Sequence, residues 1–298
     1  EEVGSPNLGP LIERLREELA CDVVVISDTG MVSHGFPTLT FSLRGIACME
    51  MRVIGPSMDL HSGVFGGAVR NPVTAAACLV ASLHDETGRV AVEGFYDAVR
   101  PLLEWELAAS AALPITEDDI KVLAGVSVLA GEPGFSAMDR IGARPTAEVN
   151  GFGGGYQGEG SKTVLPREAF VKLTFRLVPN QKPEEIQTLV EAHLKKHCPE
   201  GVRLEIVRGH VGEPYFMDPN SSFGLAARRA LATTFGKEAA LLREGGTIPI
   251  LSTFQRVLGV EILLLALASP DCRAHSPNEN FPLENFEAGI RLNRAVLQ

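Results

Sequence analysis

The sequence predicts an α/β protein in which the first and last thirds form one layered domain, interrupted by an inserted α+β domain with an antiparallel sheet. Three observations lead there. Val23-Val24-Val25-Ile26 is an unbroken apolar run that ends in Ser27-Asp28. Ile262 to Leu267 is a second such run, and the loop after it carries His275. Runs of this kind fit strands of a parallel sheet that is covered on both faces. Between them, Ile46–Ile54 and Val171–Leu177 alternate apolar with polar residues, as antiparallel strands with one wet face do.

The elements follow in order. Leu8, Leu11, Ile12, Leu15 and Leu19 recur at helical spacing, with Ser5 as candidate N-cap and Pro6 at the first helical position. Thr38–Leu43 and Ile46–Ile54 both read as half-exposed strands. In the second, Ala47, Met49, Met51 and Val53 share one face, and Glu50 and Arg52 the other. Asn71-Pro72 opens an alanine-rich helix to about His84. Residues 85–145 read as polar and irregular, with helical patches around Trp105. Pro183 opens a helix through Ile186, Leu189, Val190 and Leu194, and 203–207 is a strand. A helix over Ser222–Phe235, the strand at 262–267 and a last helix from Asn285 restore the α/β pattern. The expected domains are therefore 1–45 with 213–298, and 46–212 as the insertion.

A length of 298 residues suits two domains. A net charge of −10 leaves no basic excess for nucleic acid or an anionic membrane, so neither is expected as a partner. The apolar run at 262–268 is far short of a membrane span. Five scattered cysteines without a C-x-x-C pair read as reduced thiols of a cytoplasmic protein.

Several motifs admit two readings. Gly153-Gly154-Gly155-Tyr156-Gln157-Gly158 matches G-x-G-x-x-G, but the run leads through Glu159 into Pro166 and a strand, with no helix to meet a pyrophosphate. It reads as a flexible loop near a site. His61 lies in Asp59-Leu60-His61-Ser62-Gly63, among small residues that let backbone and ligand approach; it is either structural or functional. Arg176 shares the polar face of its strand with Lys172 and Thr174. It is either solvated or a bidentate clamp for a carboxylate. Arg243-Glu244-Gly245-Gly246-Thr247 is a turn able to offer backbone N–H groups to an anion, or simply a tight corner. Asp28 and His275 each follow a buried strand, where functional groups of such sheets collect. With Glu1 and Glu2 they form a mixed nitrogen and oxygen set of the kind zinc-type ions accept. One glutamate of the pair would ligate and the other would hold a water.

EEVGSPNL, ISDTG, LRGI, DLHSGVFGG, GSKTVLP, FRLVPN, REGGTIP and AHSPNE occur in this order over almost the whole chain. In this they resemble the co-catalytic two-metal zinc peptidase family of glutamate carboxypeptidase, aminoacylase, acetylornithine deacetylase and succinyl-diaminopimelate desuccinylase. The wording looks most like the cytosolic carnosinase-type dipeptidase branch. The resemblance implies a three-layer zinc-peptidase-like catalytic domain with a lid that also makes a homodimer. It implies two divalent ions, zinc first and manganese or cobalt as alternatives, and hydrolysis of an amide bond in small peptides with a free C-terminal carboxylate. It further implies Glu1 as general base, Glu2, Asp28 and His275 as metal ligands, and His61 placed over the scissile carbonyl of a partner subunit. Arg176 would hold the terminal carboxylate, with Thr163, Gly245, Gly246, Thr247 and Asn150 as further substrate contacts. The family also carries an upstream H-x-D ligand pair and a bridging aspartate. These residues lack that context, so an N-terminal part of the pattern is expected to be missing. Deacylation of an N-acyl amino acid, or a non-catalytic dimerisation fragment, are the alternatives.

Overall fold

A computed structural model of the protein describes residues 7–297. The chain begins with helix α1 (Leu8–Arg14), then strands β1 (Val23–Ile26), β2 (Thr38–Leu43), β3 (Gly45–Ile54) and β4 (Leu60–His61). Helices α2 (Ser62–Phe65), α3 (Pro72–Ala81), α4 (Glu104–Ala111), α5 (Glu117–Ala124) and α6 (Ala137–Ala143) follow. Next come β5 (Thr146–Gly154), β6 (Val164–Leu165), β7 (Glu168–Leu177), α7 (Pro183–His197), β8 (Arg203–Gly212) and β9 (Tyr215–Phe216). The chain ends with α8 (Ser222–Phe235), β10 (Ala240–Glu244), α9 (Ile250–Leu258), β11 (Glu261–Leu265) and α10 (Leu283–Val296).

Two sheets organise these elements. One has the order β1-β11-β2-β10, with β9 paired to β2; the other has the order β5-β7-β3-β8. In the first, β1 and β11 are parallel, and β2 runs antiparallel to β11. The C-terminal ends of β1 and β11, and hence the loops bearing Asp28 and His275, therefore lie at the same sheet end. The second sheet is wholly antiparallel and one-sided, as its alternation predicts. Ala47, Met49, Met51 and Val53 are buried against α3 and α7, with Val171, Leu173 and Phe175 beside them. The strongest local signals hold to the residue: Asn71 Oδ1 accepts from Val73 N at the start of α3, and Ser221 caps α8.

Four expectations change. Val23–Ile26, read as a buried strand, is only half-buried at all four positions, because β1 lies at the edge of its sheet. Thr38–Leu43 is buried at all six positions, because β2 lies inside the mixed sheet between β11 and β10. Its hydroxyls do not face water: Ser42 Oγ donates to the Tyr215 carbonyl at 3.0 Å. The first helix stops at Arg14, with turns through Leu19, and its cap is Asn7 without a side-chain bond; Ser5 and Pro6 lie outside the described residues. Residues 85–145 contain three helices, two of which pack on β10 of the first sheet. Trp105 of α4 meets Phe41 there at 5.3 Å between ring centroids.

The two sheets are joined where β2 passes into β3 and β8 returns toward β9. These crossings touch: a Cβ at Gly45 would lie 2.6 Å from the Gly212 carbonyl oxygen and 2.7 Å from Pro214. Glycine is required at this position by backbone proximity.

Candidate functional site

The junction brings together residues that are far apart in sequence. Arg44 links β2 to β3, Arg176 lies opposite Ile46 on β7, and Thr247 follows the Gly245-Gly246 turn after β10. Arg176 Nη1 donates to Thr247 Oγ1 at 2.9 Å, and the same hydroxyl donates to the Arg44 carbonyl at 2.6 Å. Arg44 Nε donates to the Gly245 carbonyl at 3.3 Å. Neither Arg44 nor Arg176 has a carboxylate within ion-pair distance among the described residues. Burial, and then the neighbouring Arg176 charge, push the Arg44 pKa down to about 10, with Glu148 opposing. The two guanidiniums open onto a cavity of about 590 Å³ that is also lined by Asn150, Thr174 and Tyr96. Thr174 donates to Asn150 Oδ1 at 2.7 Å, which orients that amide. Arg140, Arg144, Glu132 and Glu148 line it too, with Glu132 paired to Arg144. Arg44 and Arg176, which have no such partner among the described residues, suit an anionic group, and a planar guanidinium matches a carboxylate.

A second grouping forms at the short β4–β6 ladder, which sets His61 opposite Val164. His61 Nδ1 accepts the Gly63 N–H at 3.0 Å, and Nε2 faces Thr163 Oγ1 at 3.4 Å. An accepting Nδ1 assigns the proton of the neutral ring to Nε2, so the exposed edge of His61 is a donor. Ser62 N donates to the Thr163 carbonyl at 3.0 Å, and Asp59 Oδ1 accepts from Arg167 N at 2.9 Å. These bonds hold the loop against the β6 side.

Asp28 and His275 follow neighbouring parallel strands. His275 has φ +61, a left-handed backbone uncommon outside glycine. Glu244, at the end of β10, has its pKa raised to about 7, first by burial and then by the Asp28 charge. Its Oε2 is buried without a hydrogen-bond partner among the described residues. Glu1 and Glu2 lie outside the described residues. Among the described residues no three His, Cys, Asp or Glu side chains converge to hold a metal ion. Asp28 and His275 by themselves therefore do not fit a metal centre.

The sequence missed Arg44, Glu244 and Glu106. A lone cation directly after the strand Thr38–Leu43, within the LRGI motif, was the available signal for Arg44. Glu106 is 2% exposed inside what reads as a polar, irregular stretch, and only tertiary packing reveals it.

Residues 41–202 match the peptidase dimerisation domain of the M20 family. The chain is 33% identical, over 98% of its length and 62% of the relative's, to Cys-Gly metallodipeptidase dug1 of Schizosaccharomyces pombe. It is 29% identical, over 98% of its length and 60% of the relative's, to human Beta-Ala-His dipeptidase. The chain thus spans about three-fifths of the curated relatives it matches. Among solved structures, the M20 family metallo-carboxypeptidase Sso-CP2 from Sulfolobus solfataricus superposes with a TM-score of 0.87 at 31% identity, covering 100% of this chain and 68% of that one. Eight motifs in order, a dimerisation domain inserted in an α/β catalytic domain, and similarity along the whole chain agree: the chain belongs to the M20 peptidase family.

Proposed function

We propose that the protein is a metal-dependent dipeptidase that cleaves the amide bond of dipeptides or small peptides with a free C-terminal carboxylate. The observation that carries this reading is Arg176, which lines the cavity and is tied to Thr247 beside the Gly245-Gly246 turn. The metallodipeptidase relatives support the reaction class.

The roles are as follows. Arg176 pairs with the terminal carboxylate, while Thr247 and Asn150 fix its orientation. Glu1 takes a proton from the attacking water and passes it to the leaving amine. His61 of the partner subunit, as an Nε2–H donor, stabilises the oxyanion. Thr163 contacts substrate beside it. Divalent ions, zinc by preference, are the proposed cofactor, with Glu2, Asp28 and His275 each contributing a donor. Residues 46–212 are proposed as lid and homodimer contact, closing on hinges near 45 and 212 over a catalytic part built from 1–45 and 213–298. We place the protein in the cytoplasm, in keeping with five free cysteines. No helix among the described residues is long and apolar enough to cross a membrane.

The test is turnover of a dipeptide panel against N-acetyl and N-succinyl amino acids, with and without a chelator. Dipeptide cleavage that is lost on chelation and regained with zinc or manganese is the expected result. Preferential cleavage of the acyl amino acids would replace this reading with deacylation. Chelator-resistant turnover would remove the metal.

A further inference from the structure

Residues 100–145 leave the antiparallel sheet and cross to the open edge of the other one. There α4 and α6 pack on β10, the strand that leads into the Glu244–Thr247 turn. The centre of this contact is Glu106, 2% exposed. Its carboxylate accepts two bonds from Arg100, each 2.7 Å, and one from Leu103 N at 2.7 Å. Arg243 Nη2 of β10 donates to the same carboxylate, and Arg243 Nη1 reaches Ser42 Oγ at 3.2 Å. Burial works against the Glu106 charge, but the donors around it hold the carboxyl below its ordinary range.

The next helix closes the other side. A Cβ at Gly142 would collide with the Arg243 carbonyl oxygen, so α6 sits directly on the strand backbone. Gly245 is wedged between Ile141 and Arg44: a Cβ there would lie 3.0 Å from Ile141 Cγ2 and 2.9 Å from Arg44 Nη2. Arg144 of the same segment accepts from Arg44 Nη1 at 3.4 Å through its carbonyl.

We propose that this crossing segment sets the geometry of the Glu244–Thr247 turn, with Glu106 as the positioning residue acting through Arg243. The proposal rests on Arg176 and Thr247 being the carboxylate grip. Glu106 itself touches no substrate. A buried ion pair adds little net stability compared with an apolar replacement, yet removing one partner leaves a buried charge unmatched. A carboxylate saturated by donors from a loop and a strand fixes how the two meet. A displacement of about 1 Å at a positioned group can cost roughly a hundredfold.

The test is calorimetric binding of N-acetylglycine and N-acetylglycinamide to the intact protein; the two differ only in the carboxylate. The unaltered protein should bind the acid at least about thirtyfold more tightly, the equivalent of one charge-assisted contact. Glu106→Gln should lower this ratio about tenfold, with amide affinity within about twofold. Glu106→Asp should recover part of the ratio. Arg100→Met is the milder variant: it loosens Glu106 from the loop side and should lower the ratio less. An unchanged ratio in a folded variant, or parallel loss of acid and amide, overturns the positioning role. If Glu106→Gln does not fold, the Arg100→Met ratio decides by the same criterion. If the unaltered protein does not distinguish acid from amide, the grip itself is refuted and the positioning role with it.

Discussion

Arg176, on β7 of the antiparallel sheet, and Thr247, in the loop after β10 of the other sheet, meet at 2.9 Å, guanidinium to hydroxyl. Thr247 also donates to the backbone of Arg44 at the start of the crossing between the sheets. One hydroxyl thus ties the proposed carboxylate grip to the crossing between the sheets. Thr247→Val, which keeps the shape, should cost about 1 kcal/mol of stability and raise KM for dipeptides about tenfold. Arg176→Met should raise KM by about a hundredfold with free-acid dipeptides and hardly alter dipeptide amides. Steady-state kinetics on both substrate types check this. Equal losses on both would mean that Arg176 does not face the carboxylate.

His61 presents an Nε2–H donor because the Gly63 N–H occupies Nδ1. His61→Ala should lower kcat about a hundredfold or more with KM little changed. If the histidine serves the partner's site, mixing His61→Ala protein with inactive Glu1→Gln protein should regenerate turnover in hybrid dimers. Failure of exchanged, folded hybrids to recover activity would place His61 outside the reaction in trans.

Glu244 links stability to pH. Its folded pKa of about 7 lies above the ordinary carboxyl value of 4.5. Between these values the folded chain keeps a proton that the unfolded chain has released. Its contribution is therefore full below about pH 4.5 and is lost as pH rises through 7. Glu244→Gln should remove this loss, gaining up to about 3 kcal/mol over the unaltered chain at pH 8 and little at pH 4.5. Denaturant melts at several pH values, with chelator present, measure it. A pH-independent difference would show that the carboxyl is ionised in the fold.

Gly45 tests the crossing. Gly45→Ala places a methyl group 2.6 Å from the Gly212 carbonyl oxygen, against backbone that has no rotamer to yield. A loss of about 1–3 kcal/mol is expected. Gly9→Ala, at a position with open space around it, is the control and should cost little. Similar melts for both variants would show that the crossing strands separate freely.

The fold class, the two kinds of sheet and most long elements are legible in the order and spacing of the residues. Periodicity is local, so Ser222–Phe235, Pro183–His197 and the alternating β3 and β7 were legible without neighbours. The sequence also supplied the order of motifs that marks the family. Tertiary structure decided what depends on company. β2 is buried because strands flank it on both sides, which no pattern of its own residues states. Glu106 is a core residue because Arg100, Leu103 and Arg243 converge on it, across up to 137 positions of sequence. Arg176 could be read as a solvated arginine until Thr247, 71 positions away, was brought to its guanidinium. Spacing along the chain reports the face a side chain occupies; only packing decides what stands opposite.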